Sequence, residues 1–256
     1  MKKTIALVAT AICVLGAGVA FAVTNTYTVT ASTSPAKPGT KAKPVPMSLS
    51  FNYTVGEQDN QRPSSIKQYK IGVKGLFVNQ KAIKGSCSAD QINAAGSASG
   101  CPKNAIVGTG NVDNFLGPTN DPSSKALHCY LALTLYNNKV KNHFTLSLVG
   151  RKANPAPKEC ITDIDTAIDG QYVQSGGFSY LQFTVPPSLL HPVPGLDNAV
   201  VNVTSKVNLS KTITVKGHKE AYYNANGGCV AHKRAVKVIF VAENGQSATA
   251  TTNAKC

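Results

Sequence analysis

Tryptophan is absent from this chain of 256 residues, and aromatic residues make up only 7% of it. Proteins that bind sugars commonly present flat aromatic side chains, and an indole ring is the most effective of these. The absence therefore counts against a carbohydrate-binding module. Nine tyrosines remain that could supply such a surface, so the composition lowers this expectation without excluding it.

Acidic residues are scarce, because 12 Asp+Glu stand against 26 Lys+Arg and give a formal net charge of +14. Such a surplus favours anionic partners, among them a cell-envelope polymer, lipid headgroups or a protein. The basic residues are scattered, and no RNP motif, zinc finger or helical basic region accompanies them. We therefore expect an anionic envelope polymer, a lipid or a protein partner, and no specific nucleic acid. The alternative is that the charge merely keeps the protein soluble.

Long apolar runs are missing except at the N-terminus. Two lysines precede an apolar run from residue 4 to residue 19, and the triplet Ala20-Phe21-Ala22 matches the A-x-A cleavage pattern. The alternative is a membrane anchor, but a span needs about 20 apolar residues. The pattern predicts a signal peptide over residues 1–22, cleaved so that the mature chain begins at Val23. We expect a secreted or cell-wall protein that is not transmembrane after cleavage.

Seven cysteines are present, and cleavage would remove Cys13 and leave six. Neighbouring cysteines among the six are at least 14 residues apart, whereas zinc sites favour pairs separated by two to four residues. The pattern therefore predicts disulfides, with no metal and no cofactor. Many connectivities are possible, but short loops close at the least entropic cost. The spacing favours the sequential pairs Cys87–Cys101, Cys129–Cys160 and Cys229–Cys256.

Apolar and polar residues alternate with a period of two along most of the chain, whereas helical periodicity is nearly absent. This pattern is typical of half-buried strands. The longest such strand is predicted to place Ala199, Val201 and Val203 on one face and Asn202 and Thr204 on the other. The alternation recurs in residues 25–30, 47–55, 69–73, 127–135, 144–148, 178–185, 199–209 and 236–240.

One short helix and one tight hairpin complete the prediction. Residues 88–91 have the S-x-x-Q form of a capping box, and Gly96 is a suitable helix stop. A single further turn is possible at residues 186–190, and Asn244-Gly245 is a hairpin signal. We predict an all-β fold, an antiparallel β-sandwich of Greek-key or jelly-roll type with one short helix and three local disulfides. It forms a single domain over residues 23–256, in which residues 23–46 are either an edge strand or a flexible leader.

Several segments share a distinctive pattern. Residues 75–79 read GLFVN and lead to Cys87, and residues 101–110 read CPKNAIVGTG. These segments, together with residues 25–46 and 228–256, resemble a family of secreted actinobacterial proteins with a cysteine, a short helix and then CPxxxxVGxG. The resemblance covers most of the mature chain and implies an exported β-sandwich with paired cysteines. It implies no activity and no catalytic residue.

One acidic cluster, DIDTAIDG, is the only candidate metal site in the sequence. Asp163, Asp165 and Asp169 occupy its first, third and seventh positions. The EF-hand order requires acids at the first, third and fifth positions and glycine at the sixth. These three residues are therefore weak candidates for calcium, and the alternative is a solvated loop beside Cys160.

No catalytic motif is recognisable. Gly177-Phe178-Ser179 begins the G-x-S-x-G pattern but ends in Leu181, and Gly108-Thr109-Gly110 lacks the third glycine of a dinucleotide loop. We interpret the latter as a strand start or bulge. We interpret Tyr222-Tyr223 as part of the rim of a loop that is held by a disulfide. The five histidines are dispersed and form no metal motif; they are His128, His143, His191, His218 and His232.

Three functions are open at this point. The first is a non-catalytic secreted or envelope-associated protein that binds an anionic envelope polymer, a lipid or a protein partner. The second is a secreted hydrolase whose site assembles only in the fold, as a carboxylate pair or a serine and histidine in a cleft. The third is a structural coat or adhesin subunit.

Overall fold

The computed structural model describes residues 24–125, 127–155, 159–208 and 211–256. The predicted signal peptide, with Cys13, lies outside these residues. Two helices are present, α1 (Ala89–Ala95) and α2 (Pro187–Leu190). The strands are β1 (Asn25–Ser34), β2 (Val45–Pro46), β3 (Ser48–Glu57), β4 (Ile66–Lys74), β5 (Leu76–Val78), β6 (Ile106–Pro118), β7 (Leu127–Asn137), β8 (His143–Gly150), β9 (Ile164–Ser175), β10 (Phe178–Thr184), β11 (Leu196–Val207), β12 (Ile213–Val215), β13 (His218–Glu220), β14 (Tyr223–Ala225), β15 (Cys229–Val230), β16 (Lys233–Ala242) and β17 (Ser247–Lys255).

Twelve of these strands form one antiparallel sheet in the order β1-β3-β11-β6-β7-β8-β9-β10-β4-β16-β15, with β17 also paired to β16. Strand β11 lies between β3 and β6, and β4 lies between β10 and β16, so the connections cross over as in Greek-key proteins. Two small sheets, β12-β13 and β2-β14-β5, flank the large one. The prediction of an all-β antiparallel fold is confirmed.

The large sheet curls over until its two ends meet around the core. Tyr53 on β3 lies 5.4 Å from Phe240 on β16, measured between ring centroids, although these strands are far apart in the sheet order. Tyr27 on β1 stacks on the same Phe240 ring at 4.3 Å. The Thr33 hydroxyl on β1 donates to the Lys255 carbonyl on β17 at 2.8 Å. The two halves of the sheet therefore face each other across one apolar core, as in a β-sandwich.

The predicted helix and hairpin are both present. In α1 the Ser88 hydroxyl accepts from the Gln91 N–H, and the Gln91 side chain accepts from the Ser88 N–H, which completes the capping box. Gly96 ends the helix with a φ of 60°. Strands β16 and β17 pair through a turn in which Gly245 has a φ of 86°. The possible turn at residues 186–190 is α2.

The three sequential disulfides are confirmed, with Cα–Cα distances of 5.5, 4.3 and 6.0 Å. Cys87–Cys101 encloses α1, Cys129–Cys160 joins β7 to the segment before β9, and Cys229–Cys256 fixes the chain end beside β16. Each bridge restricts the unfolded chain and contributes about 2–4 kcal/mol to stability. Within the described residues, no helix is both long and apolar enough to span a membrane.

Candidate ligand-binding cavity

The core is incompletely filled, and a cavity of about 100 Å³ lies between the two halves of the sheet. It is comparable with the apolar cavity of about 150 Å³ that binds benzene in another protein, so it accepts a slender apolar group. Alternation along each strand directs the apolar side chains inward. The apolar lining residues include Leu49, Phe51, Val112, Leu131, Leu133, Leu135, Phe144, Leu146, Leu148, Ile168, Leu181, Phe183, Leu189 and Val203.

Small residues line the cavity where β6 and β11 pair. Gly110 is paired with Ser205, and the Cβ of an alanine at position 110 would collide with the Thr204 carbonyl oxygen. This close approach of two backbones requires glycine. Of the two glycines, Gly108 is the one that lines the cavity, at a bulge beside Ile106. The sequence motif that we interpret as a strand start or bulge therefore lies in β6, on the cavity wall.

A polar groove of about 360 Å³ adjoins the cavity at the same place. Thr109, Ser205 and Lys206 line both the groove and the cavity, and Lys206 is exposed to solvent. Lys206 is the only charged residue among the described residues that line either space. The apolar cavity and the solvated groove thus share part of their lining, which includes one basic residue.

Two buried asparagines add polar groups to a mostly apolar wall. Asn114 is 0% exposed and Asn198 is 9% exposed, and both line the cavity. The Asn114 Nδ2 group donates to the Cys129 carbonyl at 3.2 Å, and the Asn198 Nδ2 group donates to the Leu189 carbonyl at 2.7 Å. Within the described chain, neither side-chain oxygen accepts a hydrogen bond. Two residues of the lining therefore each carry a buried amide oxygen without a partner.

A bulge in β11 explains why the sequence did not indicate Asn198. The register shifts between Val200 and Asn202, and one extra residue reverses which side chains face inward. Val203 lines the cavity as predicted, but on the N-terminal side of the bulge Asn198 and Val200 line it. The predicted placement of Ala199 and Val201 on the same face as Val203 is therefore wrong.

The tyrosines near the C-terminus belong to the core, so their interpretation as a loop rim is wrong. Tyr222 and Tyr223 are each 1% exposed, and both hydroxyls lie within hydrogen-bond distance of the Tyr172 hydroxyl, at 3.3 and 3.1 Å. Burial raises the pKa of all three phenols. Tyr223 also lines the cavity, so the cluster supports its wall.

Four histidines contact carboxylates, at four separate places. Burial raises the pKa of Asp113, and the neighbouring His128 opposes this shift. The hydrolase hypothesis requires its acid, base or nucleophile in a cleft, yet none of these histidines and carboxylates is among the described residues that line the cavity. The pairs are His128–Asp113, His143–Asp169, His191 with Asp197 and Glu243, and His218–Glu220.

The three aspartates of the acidic cluster have separate partners. Asp163 accepts from the Lys152 N–H at 2.8 Å, and Asp165 lies 2.8 Å from the Arg151 guanidinium. Asp169 lies 2.8 Å from the His143 ring. Among the residues that the structure describes, no group of three or more histidine, cysteine or acidic side chains could hold a metal ion.

Ser179, noted in the sequence, and Arg234 are both inaccessible. Ser179 is 0% exposed and its hydroxyl accepts from the Gln174 side chain at 2.8 Å. Arg234, at the end of a basic run, is also 0% exposed, and its guanidinium donates to the Lys74 and Gly227 carbonyls at 2.7 Å. Arg234 therefore joins loops to the sheet and adds no charge to the surface.

Comparison with known proteins gives no relative: no family model, no curated protein and no solved structure matches this chain. We therefore infer the chemistry of the site from the residues that line the cavity and the groove. The cavity offers burial of a slender apolar chain, two hydrogen-bond acceptors inside, and a cation outside. Such an arrangement is suited to binding an amphiphile.

Proposed function

We propose that this chain is an exported, non-catalytic β-sandwich protein that binds the apolar chain of an anionic lipid in the cavity between the two halves of its sheet. The observation that carries the proposal is the apolar cavity that adjoins a polar groove and shares Lys206 with its lining. Among the partners that the sequence leaves open, a lipid is the one that uses both features.

The energetics favour an acyl chain in the cavity. Its wall is built almost wholly from aliphatic and aromatic side chains, and each buried CH₂ group contributes about 0.8 kcal/mol to binding. Ligand sites are typically concave and apolar with a few placed polar groups. The small volume favours a single narrow chain over a pair of chains.

The position of the charge favours an anionic headgroup. Lys206 lies at the junction of cavity and groove, so a headgroup held there stays solvated beside a cation while its chain is buried. The formal net charge of +14 adds a general attraction for anionic surfaces.

Export is supported by the sequence and by the covalent structure. Residues 1–22 have the pattern of a cleavable signal peptide. Three disulfides are compatible with an oxidising compartment outside the cell. We therefore propose that the mature protein acts in the medium or in the cell envelope.

A cavity-filling substitution tests the proposal. Val203 is buried and lines the cavity, so Val203→Phe places a ring in the space that the acyl chain would occupy. With decanoate as the probe, calorimetric titration is expected to show saturable binding to the wild type and at least about tenfold weaker binding to Val203→Phe, because the ring excludes part of the chain and each excluded CH₂ group loses about 0.8 kcal/mol.

The matched control is Val173→Phe, which makes the same change at an exposed position of β9. It is expected to bind decanoate as the wild type does. Lys206→Gln is expected to weaken binding at low salt and to reduce its salt dependence. Equal binding by Val203→Phe and the wild type, or no saturable binding of decanoate by the wild type, would overturn the proposal.

A further inference from the structure

We infer that the chain bound in the cavity carries an uncharged hydrogen-bond donor, such as a hydroxyl group, at the end remote from its anionic headgroup. This inference rests on the proposed function, since it assumes that an amphiphile occupies the cavity. Its basis is the pair of buried amide oxygens of Asn114 and Asn198 on the cavity wall.

The orientation of both amides is fixed by their neighbours. The oxygen and nitrogen of a side-chain amide can exchange positions only if the hydrogen-bond partners of both atoms permit it. The Asn114 Nδ2 group faces the Cys129 carbonyl, and the Asn198 Nδ2 group faces the Leu189 carbonyl. A carbonyl can only accept a hydrogen bond, so in each amide the nitrogen must lie on that side. The remaining atom is therefore an oxygen, an acceptor, in both residues.

Two buried acceptors select the chemistry of their partner. A carboxylate, a phosphate or an ether oxygen is an acceptor and leaves both amide oxygens unpaired. A cation would lose its hydration in an apolar cavity, at a large cost. A hydroxyl or an amide N–H donates while remaining neutral. Of the common functional groups of lipids, the neutral donors are therefore the ones that fit.

The two polar points of the site are separated along the strands. Lys206 pairs with Thr109, and Asn114 lies five residues beyond Thr109 on β6, a distance of about 17 Å at about 3.4 Å per residue. On β11, Asn198 lies on the same side, since it precedes Ser205 by seven residues. A headgroup at Lys206 and a donor at the asparagines therefore belong to opposite ends of one medium-length chain. The ligand class is a hydroxylated fatty acid or a lipid with such a tail.

The test compares three probes on the wild-type protein: decanoate, omega-hydroxydecanoate and the methyl ether of the latter. In an apolar cavity without a partner, a hydroxyl group weakens binding because it loses its hydration. With the amide oxygens as acceptors, we expect omega-hydroxydecanoate to bind about tenfold more tightly than either other probe. The sign of the difference therefore decides the question without a variant.

Substitutions then locate the effect. Asn114→Leu and Asn198→Leu remove an acceptor and are expected to abolish the preference for the hydroxylated probe while keeping the binding of decanoate. The control is Asn202→Leu, the same change at a position of β11 whose side chain bonds to Asn52 outside the cavity lining. It is expected to keep the preference.

The outcomes separate the two proposals. If decanoate binds and the hydroxylated probe binds equally or more weakly, the inference about the donor is wrong, and the proposed function stands. If none of the three probes binds in a saturable way, the proposed function itself fails. Retention of the preference in Asn114→Leu with Asn198→Leu would show that another group accepts the hydrogen bond, which also overturns the inference.

Discussion

His191 connects three parts of the molecule just beyond the cavity. Its Nδ1 atom lies 3.0 Å from Asp197 Oδ1 at the start of β11, and its Nε2 atom lies 3.0 Å from Glu243 Oε1 after β16. Arg62 reaches the other oxygen of Asp197 at 3.9 Å. Only the protonated imidazole can donate from both ring nitrogens. The contact is therefore complete only when the ring carries its charge.

The stability of the protein should reflect this protonation. The hydrogen bond to Glu243 chiefly, and Asp197 in addition, raise the pKa of His191 in the folded state, while partial burial opposes the shift. A raised pKa stabilises the fold below the unfolded value of about 6.5, and the contribution is lost as the pH rises through the folded value. His191→Gln is therefore expected to lower the urea midpoint more at about pH 5.5 than at about pH 9.

At each pH the urea midpoint of the variant is compared with that of the wild type. The effects of other titrating groups, which both proteins share, then cancel. His232→Gln, at an exposed position, serves as the control and is expected to leave the midpoint unchanged at both pH values. A destabilisation by His191→Gln that is the same at both pH values would contradict the role given to the charged ring.

Helix α1 covers a part of β9 that the sheet leaves open. Strand β10 pairs only with Gln171–Ser175 of β9. Among the described strands, none lies beside the edge that precedes these residues. The Asn93 side chain takes the place of a strand, because its amide donates to the Ala167 carbonyl at 2.9 Å and accepts from the Ala167 N–H at 2.8 Å. The helix thus protects an exposed strand edge.

Removing this side chain should loosen the helix from the sheet. Asn93→Leu leaves the main-chain N–H and carbonyl of Ala167 without these partners, and we expect a loss of about 1–2 kcal/mol in the free energy of unfolding. Hydrogen exchange at the Ala167 amide should accelerate as well. Ala94→Leu, at the adjacent exposed position of the same helix, should change neither quantity; equal protection of Ala167 in both variants would contradict the explanation.

At the scale of the whole molecule, three short covalent loops hold a sheet made by long-range pairing. The disulfides span 14, 31 and 27 residues, whereas β1 meets β17 across 222 residues at Thr33 and Lys255. Disulfides that close short loops stabilise the folded sheet, whose long-range strand pairings form slowly. They also require an oxidising environment for folding, which agrees with the proposed export.

Export is tested on the chain of residues 1–256 produced in a secreting bacterium. We expect the protein in the medium or the wall fraction to begin at Val23 and to carry no free thiol, because Cys13 leaves with the signal peptide and the other six cysteines are paired. Intact mass with and without thiol alkylation measures both. Ala22→Leu should block cleavage and retain the N-terminal segment, and a secreted wild type that begins elsewhere would contradict the predicted site.

Most of the fold follows from local patterns in the sequence. Alternation predicted eight of the strands but not β9, which contains Asp165 and Asp169 of the acidic cluster. The capping box predicted α1, Asn244-Gly245 predicted the last hairpin, and short spacing predicted the cysteine pairs. These features depend on residues close together in the chain. Local chemistry is sufficient for them because a period of two, a helix cap or a short loop is complete within a few residues.

The cavity was decided only by the tertiary structure. Its walls come from strands distant in sequence, and the bulge at Val200–Asn202 changes which face of β11 is inside. A bulge arises from pairing with partner strands, and a gap in packing arises from the sum of many side chains, so neither is visible in one segment. For the same reason Asn114 and Asn198 look like ordinary strand residues in the sequence. Only the closure of the sheet buries their amide oxygens on the wall of a single cavity.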